Sequence, residues 1–350
     1  MNKMSDYGLD DKILLEAQKY PDFYPGRVLS QSKGIYRVIT EKGQLYAEIS
    51  GKYRFESHRQ MDYPAVGDFV MLDRETDENG HGIIHLVLSR KSIFSRKAAG
   101  KLTEEQVVAA NIDIIFICMS VNQDFNLRRL ERYLSLAWES GAKPVVVLTK
   151  IDLTDDIYQK FRAVNSVAMG VDILGITNFE KDGYEDVKAY LSPGKTIALL
   201  GSSGVGKSTL INRLTQKELF ETQDIRNDDK GRHTTTRREL TLLPDGGMII
   251  DTPGMRELGM WNADEGLEKT FADVESFFGQ CRFRDCSHTN EPGCAVAAAI
   301  ERGELSQSRW QSYLKLKNED AYTENKADYM EQKKEKFKNI AKINKARKKR

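Results

Sequence analysis

The chain has 350 residues, of which 40% are hydrophobic and 30% charged, and its formal net charge is +1. Such a composition is that of a soluble globular chain, and the length exceeds one ordinary core, so two or three domains are expected. The strongest apolar run, Ile112 to Met119, is broken by Asp113 and falls well short of the roughly 18 residues of a membrane span, and Met1 to Lys12 has no apolar core of a secretory signal; a cytoplasmic protein with no membrane contact is expected.

After an N-terminal extension, residues 1–22, the segment 23–95 reads as five short strands at 26–29, 35–39, 45–49, 68–72 and 82–88, with Gly, Asn, Asp and charged turns between them. That pattern suits a small closed β-barrel of the OB type, and by composition an SH3-like barrel fits nearly as well. Over 96–262 the rhythm changes to strand then helix. Strands are predicted at 113–119, 144–148, 196–200 and 248–250. A helix is predicted at 127–140, with Leu127, Leu130, Leu134 and Ala137 at helical spacing and Gly141 ending it. Alternation of this kind implies a parallel sheet with helices on both faces, an α/β domain. Residues 263–320 read as a mostly helical domain. One amphipathic helix is predicted at 264–278, carrying Leu267, Phe271, Val274 and Phe278, and a second helical stretch from Ala295 to about Asn318. In the tail, 321–350, Lys333 to Arg350 holds ten Lys or Arg against Glu335, a charge of +9 that leaves −8 on the rest of the chain. Such a tail is either a solvated end or an arm that seeks phosphates.

Gly201-Ser202-Ser203-Gly204-Val205-Gly206-Lys207-Ser208-Thr209 is a P-loop, placed between a predicted strand and a predicted helix as the motif requires. Its glycines let backbone N–H groups wrap phosphates, Lys207 neutralises the β- and γ-phosphates, and the Ser208 hydroxyl ligates Mg²⁺. Asp251-Thr252-Pro253-Gly254 ends a strand 50 residues after Gly201. Asp251 there suits a Mg²⁺ shell and the Gly254 amide suits the γ-phosphate. Between them Gly231-Arg232-His233-Thr234-Thr235-Thr236 offers a further Mg²⁺ hydroxyl, with Thr235 preferred over its neighbours.

The guanine-reading motif of GTPases, Asn-Lys-x-Asp, has no match downstream of these elements. It stands upstream as Thr149-Lys150-Ile151-Asp152, directly after a strand. Asp152 can accept from guanine N1–H and the 2-amino group, and the Lys150 stem can cover the base. Thr149 replaces the usual Asn, which normally ties this loop to the P-loop, and Ile176-Thr177-Asn178 is the nearest candidate for the auxiliary base-binding signal. The motif order is therefore circularly permuted, a change that surface termini tolerate.

Of four cysteines, Cys118 lies in an apolar run and reads as core, while Cys281, Cys286 and Cys294 fall within fourteen residues together with His288. Three thiolates and one imidazole complete a tetrahedral set, so a closed, structural Zn²⁺ site is expected rather than a catalytic one.

Taken together these residues resemble the circularly permuted ribosome small subunit-dependent GTPase A family, over about Gly26 to Glu319. The resemblance rests on Ala65-Val66-Gly67-Asp68, Thr149 to Asp152, Gly201 to Thr209, Gly231 to Thr236, Asp251 to Gly254, Cys281 to His288 and Glu291-Pro292-Gly293-Cys294. It implies an OB barrel, a GTPase domain and a zinc-binding domain. It also implies binding of GTP and GDP and action on the 30S subunit and its 16S rRNA late in assembly. A monomer is expected. Met255 stands where many GTPases carry a water-orienting Gln, so slow intrinsic hydrolysis is expected, with His233 or the ribosome supplying the missing catalytic group. Two rivals remain: an RNA-binding assembly factor with a vestigial nucleotide site, and an ATPase.

Overall fold

The computed structural model describes residues 3–78, 80–97, 105–177, 183–216, 238–251, 264–289 and 291–320. They fall into two compact units, one built from the described residues up to Arg96 and from Glu105 to Asp251, the other from residues 264–320.

The first unit opens with α1 (Asp11–Ala17), whose N-cap Asp10 accepts from the Ile13 amide. Five strands follow: β1 (Tyr24–Ser32), β2 (Ile35–Thr40), β3 (Gly43–Ile49), β4 (Phe69–Leu72) and β5 (Gly82–Val87), with α2 (Gly51–Glu56) between β3 and β4. They pair in the order β1-β2-β3-β5-β4, and β1 pairs again with β4 to close the barrel. All these pairs are antiparallel except β3 with β5. That Greek-key closure is the OB arrangement and excludes the SH3-like alternative. Along β3 the side chains alternate: Leu45 and Ala47 are buried while Gln44, Tyr46 and Glu48 are exposed. The inward set meets Val28, Tyr36, Val38, Val70, Leu72 and Ile84 in the barrel core.

A two-stranded sheet of β6 (Ile93–Lys97) and β7 (Glu105–Ala110) leads into β8 (Ile114–Ser120), α3 (Leu127–Glu139), β9 (Lys143–Thr149), α4 (Ile157–Asn165) and β10 (Asp172–Ile176). Next come α5 (Glu185–Lys188), β11 (Thr196–Leu200), α6 (Lys207–Thr215), β12 (Glu239–Leu242) and β13 (Met248–Asp251). The strand order is β10-β9-β8-β11-β13-β12, parallel throughout except for β12 against β13. The strands of its middle are buried on both faces and read as unbroken apolar runs, such as Ile114 to Met119, because helices cover both sides.

Barrel and α/β sheet form one continuous eleven-stranded sheet, joined where Ser30 of β1 registers with Glu239 of β12. Beneath that joint lies Arg27, with no exposed surface. Its guanidinium donates to the carbonyls of Gly67 (3.1 Å), Tyr7 (2.6 Å) and Asn111 (3.2 Å) and to the Thr196 hydroxyl (2.8 Å). Desolvation brings its pKa down to about 10. Asp68, also fully buried, takes a two-pronged pair of bonds from Arg90 at 2.8 and 2.7 Å and one from the Ala65 amide. The Ala65-Val66-Gly67-Asp68 segment is thus a structural hinge-pin between barrel and sheet: its Gly67 carbonyl holds the buried Arg27 and its acid the half-buried Arg90.

The second unit departs from the sequence reading. In place of one helix over 264–278 it has α7 (Asp264–Thr270) and α8 (Ala272–Glu275), broken at Phe271, whose backbone leaves helical geometry at φ −112°, ψ 30°. The break lets the fully buried Phe271 ring sit 4.2 Å beneath the Arg309 guanidinium, which also bonds Asp273 and the Thr270 carbonyl. The second stretch is likewise divided, into α9 (Ala295–Glu301) and a helix at 307–320, the latter begun by Ser306, which accepts from the Arg309 amide. No helix among the described residues is long and apolar enough to cross a membrane.

Candidate functional site

The P-loop starts at the carboxyl end of β11, between β8 and β13, where an open α/β sheet binds its ligands. Gly201 has φ +151°, and a Cβ there would lie 2.4 Å from the Cys118 carbonyl of β8, so no other residue fits the turn. Cys118 itself is core, with burial pushing its thiol up to about 12. Gly206, at φ +99°, precedes Lys207, the first residue of α6, so the loop leads into a helix N-terminus. The Lys207 ammonium donates to the carbonyls of Gly201, at 2.6 Å, and of Ser202. Ser203, Gly204 and Ser208 are exposed, and Thr209 is half-buried in the first turn of α6.

The base-reading turn is brought to this loop although 56 residues separate Thr149 from Val205. The Thr149 hydroxyl donates to the Val205 carbonyl at 2.6 Å. The Lys150 ammonium donates to the Gly204 carbonyl at 2.9 Å, its backbone held in the left-handed region at φ +58°. Thr149 therefore makes the tie expected of Asn. Asp152, exposed in the 3₁₀ turn Ile151–Leu153, accepts from the Thr177 hydroxyl at 2.6 Å. Thr177 follows β10, so the auxiliary segment also converges on the base reader.

Two residues near the P-loop escaped sequence reading. Asp124, in the loop after β8, and Arg129, in the first turn of α3, both bond the Ser202 hydroxyl. Their signal was positional: a polar loop at the carboxyl end of a strand beside the P-loop strand. Asp251 ends β13, which pairs with β11, and its side chain lies outside the described residues. So do Gly254, His233 and Thr235.

In the second unit the ligand atoms of Cys281, Cys286, His288 and Cys294 lie within 4.8 Å of one another. His288 Nδ1 is 3.4 Å from the Cys281 sulfur and 3.7 Å from the Cys294 sulfur. Zn–S bonds of about 2.3 Å and a Zn–N bond of about 2.0 Å at a tetrahedral angle require about 3.5 Å along that edge, so the set fits zinc. His288 stacks on Phe278 at 4.4 Å, and burial lowers its pKa, which favours the neutral imidazole a metal needs. Glu291 clamps the backbone on both sides, accepting from the amides of Ser287 and Thr289 at 3.0 Å.

A cavity of about 260 Å³ opens on the barrel, away from all of these motifs, lined by Gln31, Tyr36, Arg54, Gln60, Tyr63 and Gln106 among others. None of Thr149 to Asp152 or Gly201 to Thr209 lines it.

A phosphate loop in the middle of a parallel sheet, with a guanine-type base reader two strands away and earlier in the chain, defines a circularly permuted P-loop GTPase. Comparison with known proteins agrees. The model of the RsgA GTPase family matches residues 87–261. The "Small ribosomal subunit biogenesis GTPase RsgA 2" of Lactiplantibacillus plantarum is 46% identical over 90% of this chain and 89% of its own. Among solved structures, YjeQ from Thermotoga maritima is similar at a TM-score of 0.63 with 30% identity, covering 84% of this chain and 97% of that one. YloQ, titled a circularly permuted GTPase, is similar at 0.61 with 26% identity, over 85% and 96%. The chain belongs to the RsgA GTPase family and is a hydrolase acting on GTP.

Proposed function

We propose that the chain hydrolyses GTP to GDP and phosphate under stimulation by the small ribosomal subunit, and acts late in 30S assembly. The observation that carries the nucleotide part is the Thr149–Val205 bond, which supports a single site built from motifs in permuted order. Asp152 accepts from guanine, a pattern adenine does not offer, and this favours a GTPase over an ATPase. Lys207 and the amides from Gly201 to Thr209 hold the phosphates. Ser208, Asp251 and Thr235 would hold Mg²⁺, which when bound neutralises charge between the β- and γ-phosphates. Gly254 meets the γ-phosphate, and His233 orients the attacking water when the subunit is bound. One Zn²⁺, held by Cys281, Cys286, His288 and Cys294, is structural. The bonds around Lys207 and Thr149 speak against a vestigial site, because a decayed site has no reason to keep them.

The ribosomal role draws on the names of the relatives. The chain works in the cytoplasm as a monomer, and its contact with 16S rRNA is shared by the barrel, the zinc-binding domain and the basic tail. The barrel cavity supports this: its amides, tyrosines and Arg54 match the edges and phosphates of an unpaired nucleotide. Co-sedimentation with purified 30S subunits across a salt series tests the reading. Removing residues 333–350 should weaken association and flatten its salt dependence, since fewer counterions are released. An unchanged slope would leave the tail a solvated end.

A further inference from the structure

Ser202 has two faces in this site. Its carbonyl accepts from the Lys207 ammonium, and its hydroxyl donates to Asp124 and accepts from Arg129 at 2.9 Å. Arg129 also donates to the other Asp124 oxygen at 2.6 Å. The triangle is closed: one guanidinium nitrogen bridges the acid and the hydroxyl, and the acid holds both. Burial alone would raise the Asp124 carboxyl. The bonds from Arg129 and Ser202 outweigh it and hold the pKa below the ordinary carboxylate value, so the acid is ionised at neutral pH. Arg129 is itself fixed at the start of α3, where its amide donates to the N-cap Asn126 at 3.1 Å. A rigid helix end therefore reaches, through one serine, the carbonyl that the P-loop lysine holds.

We propose that Arg129, paired with Asp124, is a positioning residue for hydrolysis: it fixes Ser202 and thereby the place of the Lys207 ammonium. The proposal rests on Lys207 being the phosphate-binding lysine. Arg129 bonds the Ser202 hydroxyl and the Asp124 carboxylate, and through them it supports the lysine. Its loss should misplace Lys207 in the transition state more than in the ground state. Hydrolysis should then fall on the order of tenfold, while nucleotide affinity moves far less.

The test uses the full chain and reads single-turnover GTP hydrolysis and GDP affinity separately. The variants are Arg129→Ala, Arg129→Gln, Ser202→Ala, the double variant Arg129→Ala/Ser202→Ala, and Lys207→Met. Thermal melting selects those that fold, and Arg129→Gln, which keeps a hydrogen-bond donor on a shorter stem, serves if the alanine variant does not. For the Arg129 and Ser202 variants the expected result is a slower hydrolytic step with GDP affinity within about threefold of the parent. The double variant should be no slower than the slower single one, because both remove the same link. Full multiplication of the two losses, or an unchanged hydrolytic rate in the Arg129 variants, would overturn the proposal. Full turnover in Lys207→Met would overturn the phosphate-lysine reading beneath it. Loss there with unchanged Arg129 variants would overturn the positioning role alone.

Discussion

The hydroxyl of Thr149 donates to the carbonyl of Val205 at 2.6 Å, and both residues are buried. This bond joins the base reader to the phosphate loop across a permuted chain. Thr149→Val keeps the shape and removes the donor, leaving a buried carbonyl unpaired at a cost of about 1–3 kcal/mol. Guanine nucleotide affinity should fall at least several-fold, and Thr149→Asn should restore it. Titration of GDP into both variants by calorimetry decides this, and equal affinity in parent and valine variant would remove the bond from the account.

Nucleotide choice should depend on Asp152. Asp152→Asn replaces an acceptor with a donor at the guanine edge, and sites that read a base by hydrogen bonds discriminate by several powers of ten. Competition between GTP and ATP should show that preference collapse. Thr177→Val should weaken it more mildly, since the Thr177 hydroxyl only orients the Asp152 carboxylate. A variant that keeps the parental preference would mean that other groups read the base.

Arg27 should matter to stability rather than chemistry. Arg27→Met leaves the carbonyls of Gly67, Tyr7 and Asn111 without this donor, and a loss of about 2–4 kcal/mol is expected. Urea unfolding of the full chain should show the first transition move to lower denaturant, and GDP binding should persist below it.

The zinc set predicts stability without chemistry. One metal ion per chain should be found by elemental analysis. Cys286→Ser should unfold residues 264–320 and leave GDP binding near the parental value, because metal binding here is folding free energy. Protein prepared without chelator and found metal-free would contradict the assignment.

His233 should act only when the subunit is present. His233→Ala should abolish the 30S-stimulated rate while GTP binding and 30S association stay near normal. Full stimulation in that variant would move the catalytic group to the ribosome.

Much of this architecture was legible in the residues. The P-loop carries its own context, and three cysteines and a histidine within fourteen residues already form a full tetrahedral ligand set. The OB closure was only half legible, since composition does not reveal that β3 pairs with β5 in parallel; long-range register decides it. The break at Phe271 was illegible because its cause, the Arg309 side chain stacked on its ring, lies 38 residues away in sequence. Asp124 and Arg129 were missed for the same reason: a polar loop declares nothing until the fold sets it beside Ser202. Thr149 looked like a departure, yet its hydroxyl on a buried strand end ties the loop to the Val205 carbonyl of the P-loop.

If the small subunit switches this GTPase on, its turnover must respond to that subunit and to no other. GTP turnover by the full chain should be followed while purified 30S subunits are added, with 50S subunits as the control. Expected are slow hydrolysis by the free protein, a saturating rise with 30S, no rise with 50S, and no comparable turnover of ATP. A rate indifferent to 30S subunits would contradict activation by the small subunit.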